Sequence, residues 1–418
     1  MQTTVHIVGA GISGLSAGVR LADAGYLVRV HEAAQQVGGR CRSYFDGATN
    51  LTIDNGNHLV LSGNHSLLAY ARRIGTEAGL QGPPKAEFQF IDLAVNKRWK
   101  LQINDGRVPF WVFDRNRRVP DTSPADYFAL APLAWAKTRT RVGDAIKCEG
   151  VLYKRLVLPL LLAALNIEPP DGSAGLAGAI IRETLLAGGQ ACRPLIARDG
   201  LSPVLIEPAI DYIRARGGSV DVGHEVRQLT MANGRVTALA LGDQTIALGP
   251  DDAVVMAVPP RPAAALLPGL TVPTKFRAIV NAHFRFVPPP HQPPMMGVVN
   301  GLIEWLFAFP DRFSITISGG DRLVDIPREE LARAIWKDIC AVAGIEAEMP
   351  AWQIVRERRA TFEASPEQNA LRPGALTEWK NLFLAGDWTD TGLPATIEGS
   401  VRSGNRAADH VLKTLNPI

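Results

Sequence analysis

Three glycines near the start constrain this chain more tightly than any other feature. Gly9, Gly11 and Gly14 spell G-x-G-x-x-G, and their surroundings complete a βαβ unit. Val5-His6-Ile7-Val8 predicts a short buried strand. The residues after it place Leu15 and Val19 on one helical face up to a stop at Gly25, and Leu27 to His31 predicts a second strand closed by Glu32. The three glycines do different mechanical work. Gly9 permits the tight turn, Gly11 lets the backbone approach a pyrophosphate, and Gly14 allows helix and strand to pack closely. The helix N-terminus offers free N–H groups and a positive dipole end to phosphate charge. Glu32 stands about 20 residues past the turn, where a carboxylate accepts hydrogen bonds from ribose hydroxyls and repels a 2′-phosphate. A glycine-rich turn in an unrelated α/β protein would explain the glycines alone, but not the whole unit.

A second glycine turn follows at once. Val37-Gly38-Gly39-Arg40-Cys41-Arg42-Ser43 combines a loop stripped of side chains with guanidinium groups at its exit, which suits another approach to a pyrophosphate; a bland surface turn with solvated arginines is the alternative. The far end carries an independent signal. Leu382 to Ala385 predicts a buried strand meeting Gly386-Asp387, and Pro394 to Ser400 opens a last helix with small residues. Such a helix N-terminus, at Thr396 and Ile397, can receive a flavin's pyrimidine edge, and Asp387 can bond the ribityl chain; a helix-capping Asp is the plainer reading. Together these segments point to FAD rather than a nicotinamide cofactor.

Composition narrows the class without choosing within it. The 418 residues suggest two or three domains, and 46% hydrophobic with 20% charged residues is ordinary globular usage. A formal charge of +3 gives no electrostatic case for a nucleic-acid partner. Cys41, Cys148, Cys192 and Cys340 are too scattered for a zinc pattern and too few for a disulfide scaffold, so no metal is expected and the thiols read as idle in a reducing compartment. Val5 to Ala10 runs into a glycine turn rather than a cleavage site, so no signal peptide is expected. No stretch reaches the ~18–20 apolar residues of a spanning helix; the run Leu156 to Leu165 is short and holds Pro159.

Between the two ends the pattern alternates. Residues 63–200 mix helical patterns with Pro- and Gly-rich breaks. Leu201 to about Arg216 predicts a helix ended by Gly217-Gly218, followed by strands at Val220–Leu229, Val236–Leu241 and Ala253–Val258. Residues 259–310 read as irregular and proline-rich, Arg328 to Ala343 as a helix, and Thr396 to Leu415 as the closing helix.

On these residues the chain resembles the flavin amine oxidase and carotenoid desaturase superfamily. Within it the chain is similar to the hydroxysqualene dehydroxylases, also described as squalene-associated FAD-dependent desaturases. The narrower likeness rests on Asp54-Asn55-Gly56-Asn57-His58, Pro159 to Asn166, Gly200-Leu201-Ser202 leading to Pro208-Ala209, and Ala385 to Gly399. Asn57 stands where that group usually has glutamine. The resemblance implies an α/β fold in which a discontinuous Rossmann-like FAD-binding domain (1–62, 200–260 and 372–418) carries an α+β substrate domain (63–199 and 261–371). It implies non-covalent FAD held at Gly9, Gly11, Gly14, Glu32, Gly38, Gly39, Arg40, Gly56, Val226, Gly386, Asp387, Thr396 and Ile397.

The resemblance also implies a reaction: reductive loss of the hydroxyl of hydroxysqualene to give squalene, in hopanoid biosynthesis. Such chemistry needs an acid for the departing hydroxyl and a water-excluding cavity. Asp54, His58 and Glu304 are the candidate acids, although a turn-forming Asp and a satisfied His are equally good readings of the first two. Trp305, Phe307 and Phe309 fall on one strand face and, with Leu160, Leu161 and Trp388, are candidates to line the cavity; ordinary core packing is the alternative for each. A C30 substrate dissolves in bilayers, so the expectation is a cytoplasmic protein resting on the inner membrane through an apolar patch near 151–165. With one full dinucleotide fingerprint in the chain, electrons are expected from a separate, unidentified donor. A carotenoid desaturase, an amine oxidase and a non-enzymatic prenyl-protein escort remain the rival readings. The last tyrosine, Tyr212, and the last cysteine, Cys340, lie well before Gly386, which weakens the amine oxidase.

Overall fold

Val5, Ile7, Val28, Val30, Ala253, Val255 and Phe383 come from three distant stretches of the chain and are all buried together. In the computed structural model, which describes residues 3–415, they belong to one parallel five-stranded sheet. Its order is Ser219–Val222, Leu27–Glu32, Thr4–Val8, Ala253–Met256, Leu382–Leu384. Residues 1, 2 and 416–418, assigned from the sequence to the nucleotide-binding domain, lie outside the described residues. Helices Ile12–Asp23 and Ile397–Leu415 cover one face of the sheet. They are tied to each other by Arg20, whose Nε donates to Asp409 Oδ1 at 2.7 Å. The other face carries Val8, Val254 and Met256 against Leu229, Val236 and Leu239. These last come from an antiparallel trio, Gln228–Ala232, Arg235–Leu241 and Gln244–Ala247.

A second sheet of seven strands forms the other half of the molecule. Its order is Trp352–Phe362, Phe276–Phe284, Arg312–Ile317, Trp305–Phe309, Met295–Val299, Glu87–Asp92, Lys97–Gln102, antiparallel except between Met295–Val299 and Glu87–Asp92. Helix Arg328–Ala343 backs it with Leu331, Ile335, Trp336 and Ile339.

Several segments depart from the sequence expectation for identifiable reasons. The stretch 259–310 is not irregular: it holds helix Pro260–Leu266 and three strands. Its prolines gather in the connections and leave 276–284 free of them, so the ladder is uninterrupted there. The expected strand Val220–Leu229 is two strands in different sheets, parted at Gly223, which takes φ 70°. Strand Trp352–Phe362, with Arg356, Glu357, Arg358 and Arg359 breaking its apolar alternation, was not anticipated. It lies at a sheet edge, where charged residues discourage pairing with other chains.

The leucine run is turned inward. A wide π-type turn, Tyr153–Val157, leads into helix Leu158–Leu165, and Leu156, Leu161, Leu162 and Leu165 are buried. The apolar patch expected near 151–165 is therefore mostly core. Exposed large apolar side chains cluster instead in the preceding stretch: Val108, Phe110, Phe113, Phe128 and Trp135 are each more than half exposed. Among the described residues no helix is long and apolar enough to cross a membrane. Cys41, Cys148, Cys192 and Cys340 are all free thiols.

Candidate active site

The two glycine turns of the N-terminal unit lie side by side. Gly38 donates its N–H to Ala10 O at 2.8 Å, and Gly11 and Gly38 form an isolated parallel bridge. A Cβ built on Gly14 would stand 2.0 Å from Gly9 O and 3.2 Å from Ala257 Cβ, so this glycine serves helix-to-strand packing. Gly11 differs: a Cβ there would meet no protein atom within 4 Å. Packing does not require a glycine at that point, and the open backbone beside a helix N-terminus is the cradle that a pyrophosphate fills. Glu32 closes the unit with one carboxylate oxygen accepting from Ala10 N at 2.7 Å and the other from Ala34 N at 2.9 Å. The residues thus fit a dinucleotide, and the acid fits its ribose.

The distant end of the chain meets this turn directly. Arg40 donates to Asp387 Oδ1 at 2.7 Å and to the Ala360 carbonyl. The guanidinium expected to face a pyrophosphate is thus also the bolt that joins the N-terminal turn to the Gly386-Asp387 corner. Burial alone would lower the Arg40 pKa, but the adjoining Asp387 carboxylate outweighs it and raises the group above its ordinary value. Gly386 takes φ 141° and leaves no room for a side chain, since a Cβ would stand 2.5 Å from Trp388 Nε1. Its N–H is donated to Ser403 Oγ at 3.0 Å. Thr396 Oγ1 accepts the Gly399 N–H at 3.0 Å, capping helix Ile397–Leu415 and leaving the first N–H groups of that helix for a ligand.

Asp54, His58, Phe307 and Phe309 come together, with Asn57, Ile196, Ala197 and Leu201, around one cleft. Asp54 is buried; its Oδ1 accepts from Ser43 Oγ at 2.5 Å and from Leu201 N at 2.9 Å. Burial raises its carboxyl above the ordinary range, although those two hydrogen bonds pull the other way. Burial first, and the Arg40 charge second, push the His58 imidazole down to about 4, so it is neutral at neutral pH. Asn57 Nδ2 donates to Ile315 O and Thr316 Oγ1, both at 3.2 Å, which satisfies the shorter amide. The cleft is tight. Its free volume is about 10 Å³, the room of one water, against the ~300–1,000 Å³ of ordinary ligand pockets. The water-excluding cavity expected from the sequence is, at this cleft, a narrow seam lined by Phe307 and Phe309. A larger cavity of about 370 Å³ lies elsewhere, bordered by Gly374, Thr389, Ser403, Arg406 and His410.

Other candidates from the sequence sit apart from that cleft. Glu304 precedes the aromatic strand and, by strand alternation, turns to the opposite side from Phe307 and Phe309. Its Oε2 accepts from Ser318 N at 2.8 Å, Oε1 is buried without a partner, and burial pushes the carboxyl up to about 7. Trp305 packs edge-on to Phe90 at 5.8 Å. Trp388 is buried and donates Nε1 to Val258 O at 2.9 Å. Leu161 is fully buried and Leu160 partly so, in helix Leu158–Leu165. Val226 lies in the core with Leu229, and Gly56 lets Asn281 approach, since a Cβ would stand 3.0 Å from its Nδ2.

Four supporting residues escaped sequence reasoning. Ser43 and Ser202 exchange hydrogen bonds at 2.7 and 2.9 Å beneath Asp54. His283, fully buried, spans Ser314 Oγ at 2.8 Å and Asp54 O at 3.1 Å. Arg372 stacks over Phe362 at 4.7 Å and donates to Asp387 O, Thr389 O and Thr391 Oγ1, which fixes the loop after Gly386. Ser43, at the end of Val37 to Ser43, and Ser202, in Gly200-Leu201-Ser202, stood within stretches the sequence singled out; His283 and Arg372 did not.

Comparison with known proteins bears on the whole chain. The family of flavin containing amine oxidoreductases matches residues 12–412. A hydroxysqualene dehydroxylase of Rhodopseudomonas palustris is 68% identical, over 99% of this chain and 99% of its own. Another, of Sinorhizobium fredii, is 64% identical over 100% of both. Among solved structures, the cyclohexylamine oxidase of Brevibacterium oxydans superposes with a TM-score of 0.71 at 16% identity, over 99% of each chain, a likeness of fold alone.

Proposed function

The chain belongs to the flavin containing amine oxidoreductase family, and from that premise we propose that it removes the hydroxyl group of hydroxysqualene to leave squalene. The observation that carries this reading is identity of 64–68% along the full length of two hydroxysqualene dehydroxylases, joined to a dinucleotide cradle that both ends of the chain build. FAD would be held by Gly11, the Gly38-Gly39 turn, Glu32 and the N-terminus of helix Ile397–Leu415. It would be held without a covalent link, a reading supported by Cys340, the last cysteine, sitting in helix Arg328–Ala343 behind the second sheet.

A proton and a hydride convert R–OH to R–H and water, and reduced FAD supplies the hydride when bound. The protein must bring the proton to the hydroxyl oxygen and keep bulk water from the electron-deficient allylic carbon. Asp54 is the group we assign to the proton. It lines the cleft, and burial favours its protonated form. His58 is held neutral beside it and can accept or relay, but does not begin charged. Phe307 and Phe309 are the water-excluding wall. The free volume between these rings and the 54–58 loop is about 10 Å³, so a long isoprenoid would have to part them to occupy this cleft.

The substrate's medium is a bilayer, and a protein that draws on it needs a place to rest. The exposed side chains of Val108, Phe110, Phe113, Phe128 and Trp135 provide one, with the Phe113 and Phe128 rings 6.4 Å apart. Exposed Arg107, Arg115, Lys137 and Arg139 flank them, as at an interfacial contact with anionic lipid. Electrons come from a separate donor. The test is anaerobic incubation of photoreduced holoenzyme with hydroxysqualene. Squalene should form with one reoxidised flavin per turnover; no squalene here, together with bleaching of the oxidised holoenzyme's flavin by an added amine or carotenoid, would refute the reading.

A further inference from the structure

His31 keeps one unsatisfied ring nitrogen inside the nucleotide-binding sheet. Its side chain is 5% exposed and stacks on His6 with centroids 5.4 Å apart. Its Nε2 lies 3.1 Å from His6 Nδ1, while its own Nδ1 has no hydrogen-bond partner. Buried polar atoms are rarely left so. The register of the sheet sets Asp221 directly across from His31. Beyond it the chain turns at Gly223, and His224 returns over the same edge with its N–H donated to Glu32 O at 2.8 Å. One ligand atom from each of His31, Asp221 and His224 lies within 4.8 Å of the other two.

We propose that His31, Asp221 and His224 bind a zinc-class divalent metal ion, which clamps the edge strand Ser219–Val222 to the strand that ends in Glu32. Two imidazoles and one carboxylate form a donor set for zinc and its neighbours rather than for calcium or magnesium, which take oxygen. A proton on His31 Nε2, donated to His6 Nδ1, leaves the Nδ1 lone pair bare, and metal-binding histidines are held in this way by an outer partner at the second nitrogen. Asp221 has the same division of labour: Oδ2 accepts from Ser219 Oγ at 2.7 Å, so Oδ1 is left for the ion. Bonds of ~2.0–2.2 Å in a tetrahedron bring ligand atoms about 3.4 Å apart. The remaining closure falls to His224, which is exposed and follows a glycine two residues on from Asp221 by way of Val222. The same exposure gives the ion a path in and a fourth, water-filled position. None of the three residues lines the Asp54 cleft or enters the proposed reaction, so the two readings stand or fall separately.

The experiment uses untagged, full-length, FAD-loaded protein stripped with a chelator and then titrated calorimetrically with zinc chloride, with calcium chloride as control. One zinc per chain should bind and raise the melting temperature, and calcium should do neither. Because His31 is buried and its replacement risks the fold, the variants are His224→Ala and Asp221→Asn, each expected to weaken zinc at least about tenfold with the flavin spectrum unchanged. His6→Gln, which alters only the outer partner, should weaken it about 10- to 100-fold. No stoichiometric zinc binding, or binding that both His224→Ala and Asp221→Asn leave intact, overturns the proposal.

Discussion

Replacing Gly11 by alanine separates what a cofactor demands of this chain from what the fold demands. Gly11 has φ −72° and ψ 171°, a conformation any residue adopts, and its new Cβ would touch no protein atom within 4 Å. Without FAD the variant should be as stable as the parent, or more so by ~0.4–1 kcal/mol through a less flexible unfolded chain. If the cradle reading holds, the methyl group would stand where the pyrophosphate comes close to the backbone. Losing one charge-assisted hydrogen bond costs about 2–3 kcal/mol, which is roughly 30- to 150-fold in Kd. Gly14→Ala is the matched contrast. Its Cβ would lie 2.0 Å from Gly9 O, so helix Ile12–Asp23 must shift and stability falls by ~1–3 kcal/mol or more even without cofactor. The assay compares urea midpoints of the two apoproteins by circular dichroism with FAD affinities from fluorescence quenching. A Gly11→Ala protein that folds normally and holds FAD as tightly as the parent would show that no phosphate passes over this glycine, and the cradle argument would fail.

Other outcomes follow from the same geometry. Asp54→Asn should keep FAD affinity and lower the rate of squalene formation by ~10²–10⁴, read by single-turnover flavin reoxidation; an unchanged rate would remove Asp54 from proton delivery. Arg40→Met leaves the Asp387 carboxylate buried without its partner. A double-mutant cycle with Asp387→Asn should give a coupling of about 1–3 kcal/mol in urea unfolding, and additive effects would mean that the pair does not join the two ends. The Glu304 carboxyl is raised from 4.5 to about 7 in the folded state. The folded protein therefore holds this proton more tightly than the unfolded chain. The stabilisation is full below pH 4.5 and is lost as pH rises through 7, by about 3 kcal/mol in all, and Glu304→Gln should flatten that part of the pH profile of the urea midpoint. Replacing Phe110, Phe113 and Phe128 together by serine should abolish flotation with anionic vesicles while leaving the melting temperature nearly unchanged, since all three are exposed; undiminished flotation would place the contact elsewhere.

The legible part of this chain is local. A strand, a glycine turn and a helix within forty residues declare themselves because turn geometry and amphipathic period are written in adjacent residues, and Gly9 to Glu32 is such a case. So is helix Arg328–Ala343, whose apolar period and left-handed Gly344 end agree. The seven-stranded sheet was hidden, because its members lie far apart in sequence and its strand Trp352–Phe362 owes its place to partners rather than to its own alternation. The leucine run misled in the opposite direction: ten apolar residues look alike whether they face lipid or core, and only the packing around Leu161 and Leu165 distinguishes them.

By itself the sequence determined that a strand–turn–helix of the dinucleotide-cradle form would stand near the start, that an acid would close it at Glu32, and that the last helix would open beside a Gly-Asp corner. Tertiary structure alone decided that Arg40 pairs with Asp387 across the length of the chain, that Asp54 and His58 share a cleft with Phe307 and Phe309 while Glu304 does not, and that this cleft is narrow. The difference is physical. Backbone conformation at a turn follows from the residues that make it, whereas the charge on a buried carboxyl and the room beside an aromatic ring depend on atoms brought there by the rest of the fold.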